Sequence, residues 1–269
     1  MKIETFKYCN NDIAKSYHFN NNKNKSKLSK SGEKIYLSEL TFIDEYIYDY
    51  INNKWNFAKE RLINHNNDNF SQGVNYLFKL SDPKDDDLVL LLNNDIIFND
   101  TQSLKKMINL FTKNKNVGVV GAKLLSLDKK TINHAGVVFS NINKLPKHFR
   151  AMELDDNYSK MNREFQAITG AVFLTRGDIY RQAGMLPEHM RWAFDDIFLS
   201  LSIKYNLNKR IIMAGDVNIS HDESSSLKKN PVNKLYMNHN IQSFFKAWNS
   251  KYIIDENLYL KDKNFNIIK

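Results

Sequence analysis

Leu88-Val89-Leu90-Leu91-Leu92 is an unbroken aliphatic run, preceded by charged residues at 84–87 and closed by Asn93-Asn94-Asp95. Such a run without alternation predicts a strand buried on both faces, as in the middle of a parallel sheet. Upstream the pattern is fainter. Residues 2–8 alternate as a strand, and Cys9-Asn10-Asn11 turns the chain into a short segment at 13–19. Residues 20–31, with Leu28 as their only apolar side chain, read as an exposed loop. A second strand is predicted at 33–37, then a helix on which Phe42, Ile43, Tyr46, Ile47, Tyr50 and Ile51 share a face, then a short strand at 61–64. Residues 67–75 begin as a turn, with Asn69 suited to a left-handed conformation, and continue as a helix through Leu80.

After Asp95, Asn99-Asp100-Thr101 offers caps for a helix whose core face is Leu104, Met107, Ile108 and Phe111. Strands are predicted at 117–125, 134–140, 167–175 and 210–213, the last leading through Gly215 and Ile219 to Ser220-His221-Asp222. Between them lie a long, mobile connection at 141–160, suited to a lid or acceptor loop, and a loop at 185–193 that contains Trp192. Asp195-Asp196 opens a helix with Ile197, Phe198, Leu201 and Tyr205 on one face. A tail helix at 232–248 presents Leu235, His239, Phe244, Phe245 and Trp248 to cover the sheet, with only peripheral structure beyond. Alternating strands and helices of this kind make an α/β layered fold.

Composition and charge add to the picture. At 269 residues and 42% hydrophobic content the chain can bury a large core. Its single cysteine excludes an internal disulfide and any cysteine-based zinc cluster. No apolar run reaches bilayer length and the N-terminus lacks an apolar signal segment, so a soluble cytoplasmic protein is expected. The formal charge of +9 raises the question of nucleic acid. However, the lysines are scattered among asparagines and dense only at 23–34, without a recognition helix, aromatic platform or basic stripe. A solvated basic surface is the simpler reading, and no nucleic-acid partner is expected.

The chemistry collects at predicted strand ends. In open α/β sheets ligands sit beyond the carboxyl ends of the strands, which places Asn93, Asn94 and Asp95 at the edge of a site. The same tripeptide also suits a turn and helix cap. His65 and His239 have no partners in sequence. His134 reads as a packing residue at a strand end.

Four segments in register resemble family 2 nucleotide-sugar glycosyltransferases with the GT-A fold. They are Asn67 to Asn75, similar to an Asn-x-Gly-Phe-x-x-Gly-x-Asn segment with Asn69 in place of the first glycine; Asn93-Asn94-Asp95, similar to an Asp-x-Asp motif; Val117 through Gly121 to His134-Ala135-Gly136, with Thr169-Gly170-Ala171; and Asp195-Asp196 with His221 downstream. The resemblance implies a Rossmann-like, three-layer α/β/α domain with a mostly parallel sheet over 1–250, in which 1–80 is the degenerate nucleotide-binding part and 81–225 the metal and acceptor part, followed by a helical tail at 226–269.

It further implies an inverting hexosyltransferase that takes a nucleotide-diphosphate sugar, uses Mn²⁺ or Mg²⁺, and glycosylates a glycan, glycoprotein or lipid-linked acceptor. Asp95 and His221 would hold the metal, and Asp196 would be the general base beside Asp195. Asn67, Asn75, Asn93, Asn94 and Glu39 would meet the nucleotide, and Trp192 and Gly170 the acceptor. A lipid-linked acceptor would bring peripheral membrane association. The first strand lacks the family's proline motif, and Ser38-Glu39 stands where an aspartate usually reads the base. That departure keeps a second reading open, a glycosyltransferase-like partner or chaperone subunit of an active enzyme.

Overall fold

The structure, a computed structural model, describes residues 3–8, 34–37, 56–58, 69–93, 95–191, 193–222 and 232–268; of 3–8, 34–37, 56–58, Leu80 and 232–235 it describes the backbone alone. The first half runs β1 (Ile3–Tyr8), β2 (Lys34–Leu37), β3 (Asn56–Ala58), α1 (Phe70–Ser81), β4 (Leu88–Asn93), β5 (Ile96–Phe98), α2 (Ser103–Lys113) and β6 (Val117–Leu125). Short strands β7 (Ile132–His134), β8 (Val137–Phe139), β9 (Pro146–His148) and β10 (Arg163–Phe165) follow. The chain closes with β11 (Val172–Arg176), α3 (Gly177–Gln182), α4 (Asp195–Leu201), a π-helical turn (Ser202–Asn206), β12 (Arg210–His221), α5 (Val232–Trp248) and α6 (Glu256–Lys261).

The main sheet has the path β10-β12-β6-β11-β4-β1-β2-β3, with β5 added to β12 and β7 to β6. β1 to β4 pair in parallel, as do β6 and β12, whereas β11 runs against both β4 and β6, and β10 against β12. The path is therefore mostly parallel, with one reversed strand at its centre. β4 lies between β1 and β11, and its five aliphatic residues are buried on both faces.

α2 shows how the sequence sets an element. Asp100 Oδ1 accepts from the backbone N–H groups of Gln102 and Ser103, and the four apolar positions at helical spacing all turn inward. α1 starts differently from expectation. Asn69 is extended, with φ −159°, and its side-chain oxygen accepts from Gln72 N at 2.9 Å. An N-cap needs this extended backbone, and capping one of the helix's orphan N–H groups outweighs any preference of asparagine for a left-handed turn.

Other elements also differ. The third strand is Asn56–Ala58, and the strand expected at 61–64 lies outside the described residues, as does the helix expected at 42–51. β12 continues to His221 rather than stopping at Met213, because a register shift between Ala214 and Ile219 lets the ladder with β6 resume. The connection at 141–160 is built rather than open. β9 pairs with β8, Arg150 forms a fork with Asp156 and reaches Glu153, and the buried Lys123 holds Asp155 at 2.7 Å.

The tail is not peripheral either. Tyr259 is buried against Phe165 and Phe149, and the buried guanidinium of Arg163 donates to the carbonyls of Lys263 and Phe265. α5 covers α4 and the β8–β9 hairpin, where Phe244 and Trp248 pack with Val137, Phe139, Phe194 and Ile197. Of its expected covering residues, His239 is exposed and the side chain of Leu235 lies outside the described residues.

Candidate active site

The turn after β4 carries Asp95 into β5, which pairs antiparallel with the end of β12 so that Ile96 stands opposite His221. Asp222 N donates to Asp95 O at 3.1 Å, which ties the two segments together. Asp95 Oδ1 then lies 3.1 Å from His221 Nε2, with both side chains largely buried. Apart from that imidazole, no donor among the described residues hydrogen-bonds to this oxygen, and it is almost wholly shielded from solvent. A buried carboxylate oxygen is costly unless a protonated imidazole or a metal cation completes it. Two donor atoms bound to one Mg²⁺- or Mn²⁺-sized ion on adjacent octahedral positions stand about 3 Å apart. The oxygen and nitrogen present therefore fit a hard divalent ion, with further positions left for substrate oxygens and water. Among the described residues no group of three or more His, Cys, Asp and Glu side chains is arranged to hold a metal alone.

The second centre is a carboxylate pair at the start of α4. Ala193 and Phe194 approach it with φ of 62° and 73°, two successive left-handed residues that are not glycine. Such backbone costs roughly 1 kcal/mol or more per residue and needs support. Burial of Phe194 against Phe244 and a 2.9 Å hydrogen bond from Asn240 Nδ2 to Ala193 O supply it. The two carboxyl groups then diverge. Asp196 Oδ2 accepts from Gly170 N at 2.8 Å and Oδ1 from Ile197 N at 2.8 Å. Asp195 Oδ2 accepts from Ser71 Oγ at 2.9 Å.

Burial raises both carboxyl groups above their ordinary range, and the neighbouring Asp196 charge adds to the effect on Asp195, which reaches about 7. A Cβ at Gly170 would stand 3.1 Å from Asp196 Cβ, close enough that Asp196 would have to shift by a few tenths of an ångström to accept it.

The two centres open at the same end of the sheet. Asn93, the last residue of β4, donates from its backbone to Ala171 O at 2.9 Å, one residue beyond Gly170 and two before Asp95. Beneath them His134 is fully buried, edge-on to His148. Burial, then the neighbouring His148 and His221, lowers its pKa well below that of a free imidazole. This is the packing role expected of it, and a neutral ring there adds no positive charge beside Asp95 and His221.

The segment expected to bind nucleotide is used differently. Asn75 is buried, and its oxygen accepts from Tyr180 Oη and Leu186 N. Its amide donates to Leu186 O and Glu188 Oε1, which leaves it no capacity for a ligand. Asn69 Nδ2 donates to Glu188 O. One polar face of α1 thus grips the loop that leads to Asp195. Ser71 is not among the residues expected at the site; its signal in the sequence is a small hydroxyl in the first turn of a helix with two further amides on the same side. Glu39, Asn67, Asn94 and Trp192 lie outside the described residues.

The model of a family described as glycosyltransferase-like matches residues 55–214. No curated protein matches the sequence. Similar solved structures include GalNAc-T7 with UDP, GalNAc and Mn²⁺, at 10% identity and a TM-score of 0.49, over 87% of this chain and 48% of that one. Another is S. aureus TarS 1–349, at 11% identity and a TM-score of 0.46, over 96% and 77%. A third is the mannosyltransferase PcManGT from Pyrobaculum calidifontis with GDP-Man and Mn²⁺, at 12% and 0.47, over 86% and 61%. The chain spans about half the length of the first of these, at 48%.

Proposed function

The chain belongs to the glycosyltransferase-like family, and from that premise we propose that it is an inverting, metal-dependent hexosyltransferase. Its donor would be a nucleotide-diphosphate sugar and its acceptor a glycan, glycoprotein or lipid-linked saccharide. The observation that carries this reading is the buried Asp95 oxygen, 3.1 Å from His221 Nε2 and with no other donor among the described residues, at the carboxyl end of the sheet. Asp95 and His221 would hold Mn²⁺ or Mg²⁺, with the imidazole nitrogen favouring Mn²⁺ slightly. A bound ion neutralises charge on the departing diphosphate.

Asp196 acts as the base. It accepts the acceptor hydroxyl's proton as that oxygen attacks the anomeric carbon from the side opposite the leaving nucleotide. The Gly170 N–H keeps its carboxylate aimed, while Ile197 N holds the other oxygen. Gly170, having no side chain, leaves the acceptor room beside the base, and Trp192 would stack on the acceptor ring. Residues 1–250 would form the transferase domain and 226–269 its helical tail. No helix among the described residues is long and apolar enough to cross a membrane, and a lipid-linked acceptor would be met at the membrane surface.

The test is release of nucleotide from UDP-, GDP- and dTDP-sugars in the presence of Mn²⁺, with chelator and Asp196→Asn controls. Chelator-sensitive release lost in the variant is expected. No release from any donor would favour the partner-subunit reading.

A further inference from the structure

Asn69, Ser71 and Asn75 join α1 to the catalytic end of the molecule, and of the three Ser71 is the one that reaches the acid pair. Asn69 and Asn75 hold backbone and side-chain groups of Leu186 and Glu188, which fixes the loop. Ser71 is fully buried in the first turn of the same helix, and its hydroxyl donates to Asp195 Oδ2 at 2.9 Å. Asp195 begins α4 after two left-handed residues, and Asp196 follows it directly. Left-handed backbone at non-glycine residues is strained and persists only where surrounding contacts hold it, so a hydrogen bond at the first helical residue helps to keep it in place.

We propose that Ser71 is a positioning residue of this transferase: from α1 it holds Asp195, thereby fixes the start of α4, and so aims the Asp196 carboxylate. The proposal rests on the transferase reading of the acid pair. It assigns a task to the α1 motif, which joins donor-side sequence to acceptor-side chemistry. The hydroxyl also favours the ionised form of Asp195, against burial and the adjacent Asp196 charge. The other titratable groups acting here are Tyr180 of α3, whose phenol donates to Asn75, and Glu188 in the intervening loop.

The experiment uses the full chain labelled with ¹³C-carboxyl aspartate and followed by NMR over pH 4–9, with Asp195→Asn to assign its resonance. Ser71→Ala, Ser71→Thr and Ser71→Cys are compared with the parent; the cysteine variant, near in size but a weak donor, serves if the alanine variant does not fold. Loss of a hydrogen bond to a charged group raises the Asp195 midpoint by about one pH unit in Ser71→Ala or Ser71→Cys. Ser71→Thr keeps the parent value.

Turnover measured in parallel should show kcat lowered about tenfold with donor KM unchanged, the acidic limb of the pH profile moved the same way, and rescue by threonine. An unmoved Asp195 midpoint overturns the proposal, and so does a moved midpoint with parental kcat. If the parent turns over no donor, the transferase reading fails and the catalytic part of the proposal with it; the NMR midpoint then reports only the Ser71–Asp195 contact.

Discussion

The two halves of the site rest on different foundations. Asp95 and His221 stand on a strand ladder, where β5 pairs with β12 and cross-strand hydrogen bonds fix both backbones. Asp195 and Asp196 stand on a short helix reached through left-handed backbone and held by groups borrowed from α1, Gly170 and Asn240. Among the described residues the first half leaves a carboxylate oxygen with no neighbour to complete it but the His221 imidazole, whereas the second surrounds like charges with donors. A ladder can present an orphan acceptor to a cation because its backbone cannot collapse around it. A strained loop cannot hold two repelling carboxylates unless each is separately tethered. Damage to the first half should therefore abolish binding, and damage to the second should slow chemistry while binding persists.

The sharpest way to break that contrast is Asp95→Ala, expected to lower turnover roughly 10³-fold or more and to remove manganese-dependent nucleotide binding together. Asp196→Asn should lower kcat by about 10²- to 10³-fold with nucleotide affinity intact, as calorimetry beside a turnover assay would reveal. Equal loss of affinity in both variants would erase the distinction. Gly170→Ala forces a methyl group against Asp196 Cβ, and a kcat loss of about tenfold is expected, again without change in donor affinity.

Effects on stability are smaller. A carboxyl group raised in the folded state stabilises the fold when protonated and loses that contribution as pH climbs through its folded value, here between about pH 4 and about 7 for Asp195. Asp195→Asn should accordingly melt higher than the parent at pH 8, and the gain should shrink towards pH 5. Asp255, raised to about 6 by burial, titrates in the same window in both proteins and so cancels in the comparison. The smallest change expected is at Ala193. Ala193→Gly relieves left-handed backbone, and chemical denaturation should show a shift within about 1 kcal/mol of the parent.

How much of this was legible follows from what each feature depends on. β4 and α2 could be read directly, since an unbroken aliphatic run and a helical apolar stripe are local signals that tertiary contacts reinforce. Asp95 and His221 could be paired only through family resemblance, because no spacing rule joins a turn after one strand to the end of another. The inward rotation of Asn75 was not legible: an amide serves a ligand or a backbone equally well, and Tyr180, Leu186 and Glu188 decide which. The buried tail escaped for a similar reason. Tyr259 and Phe265 are too sparse to make a pattern, and their partner Arg163 carries a charge that sequence reasoning places outside.

The most direct test of the account is calorimetric titration of UDP, GDP and dTDP into the protein with and without Mn²⁺, beside Asp95→Ala. Binding of one nucleotide that requires Mn²⁺ and vanishes in the variant is the predicted result. Binding that survives the substitution, or no binding of any of the three, would contradict the assignment of Asp95 and His221 as the metal pair of a working transferase.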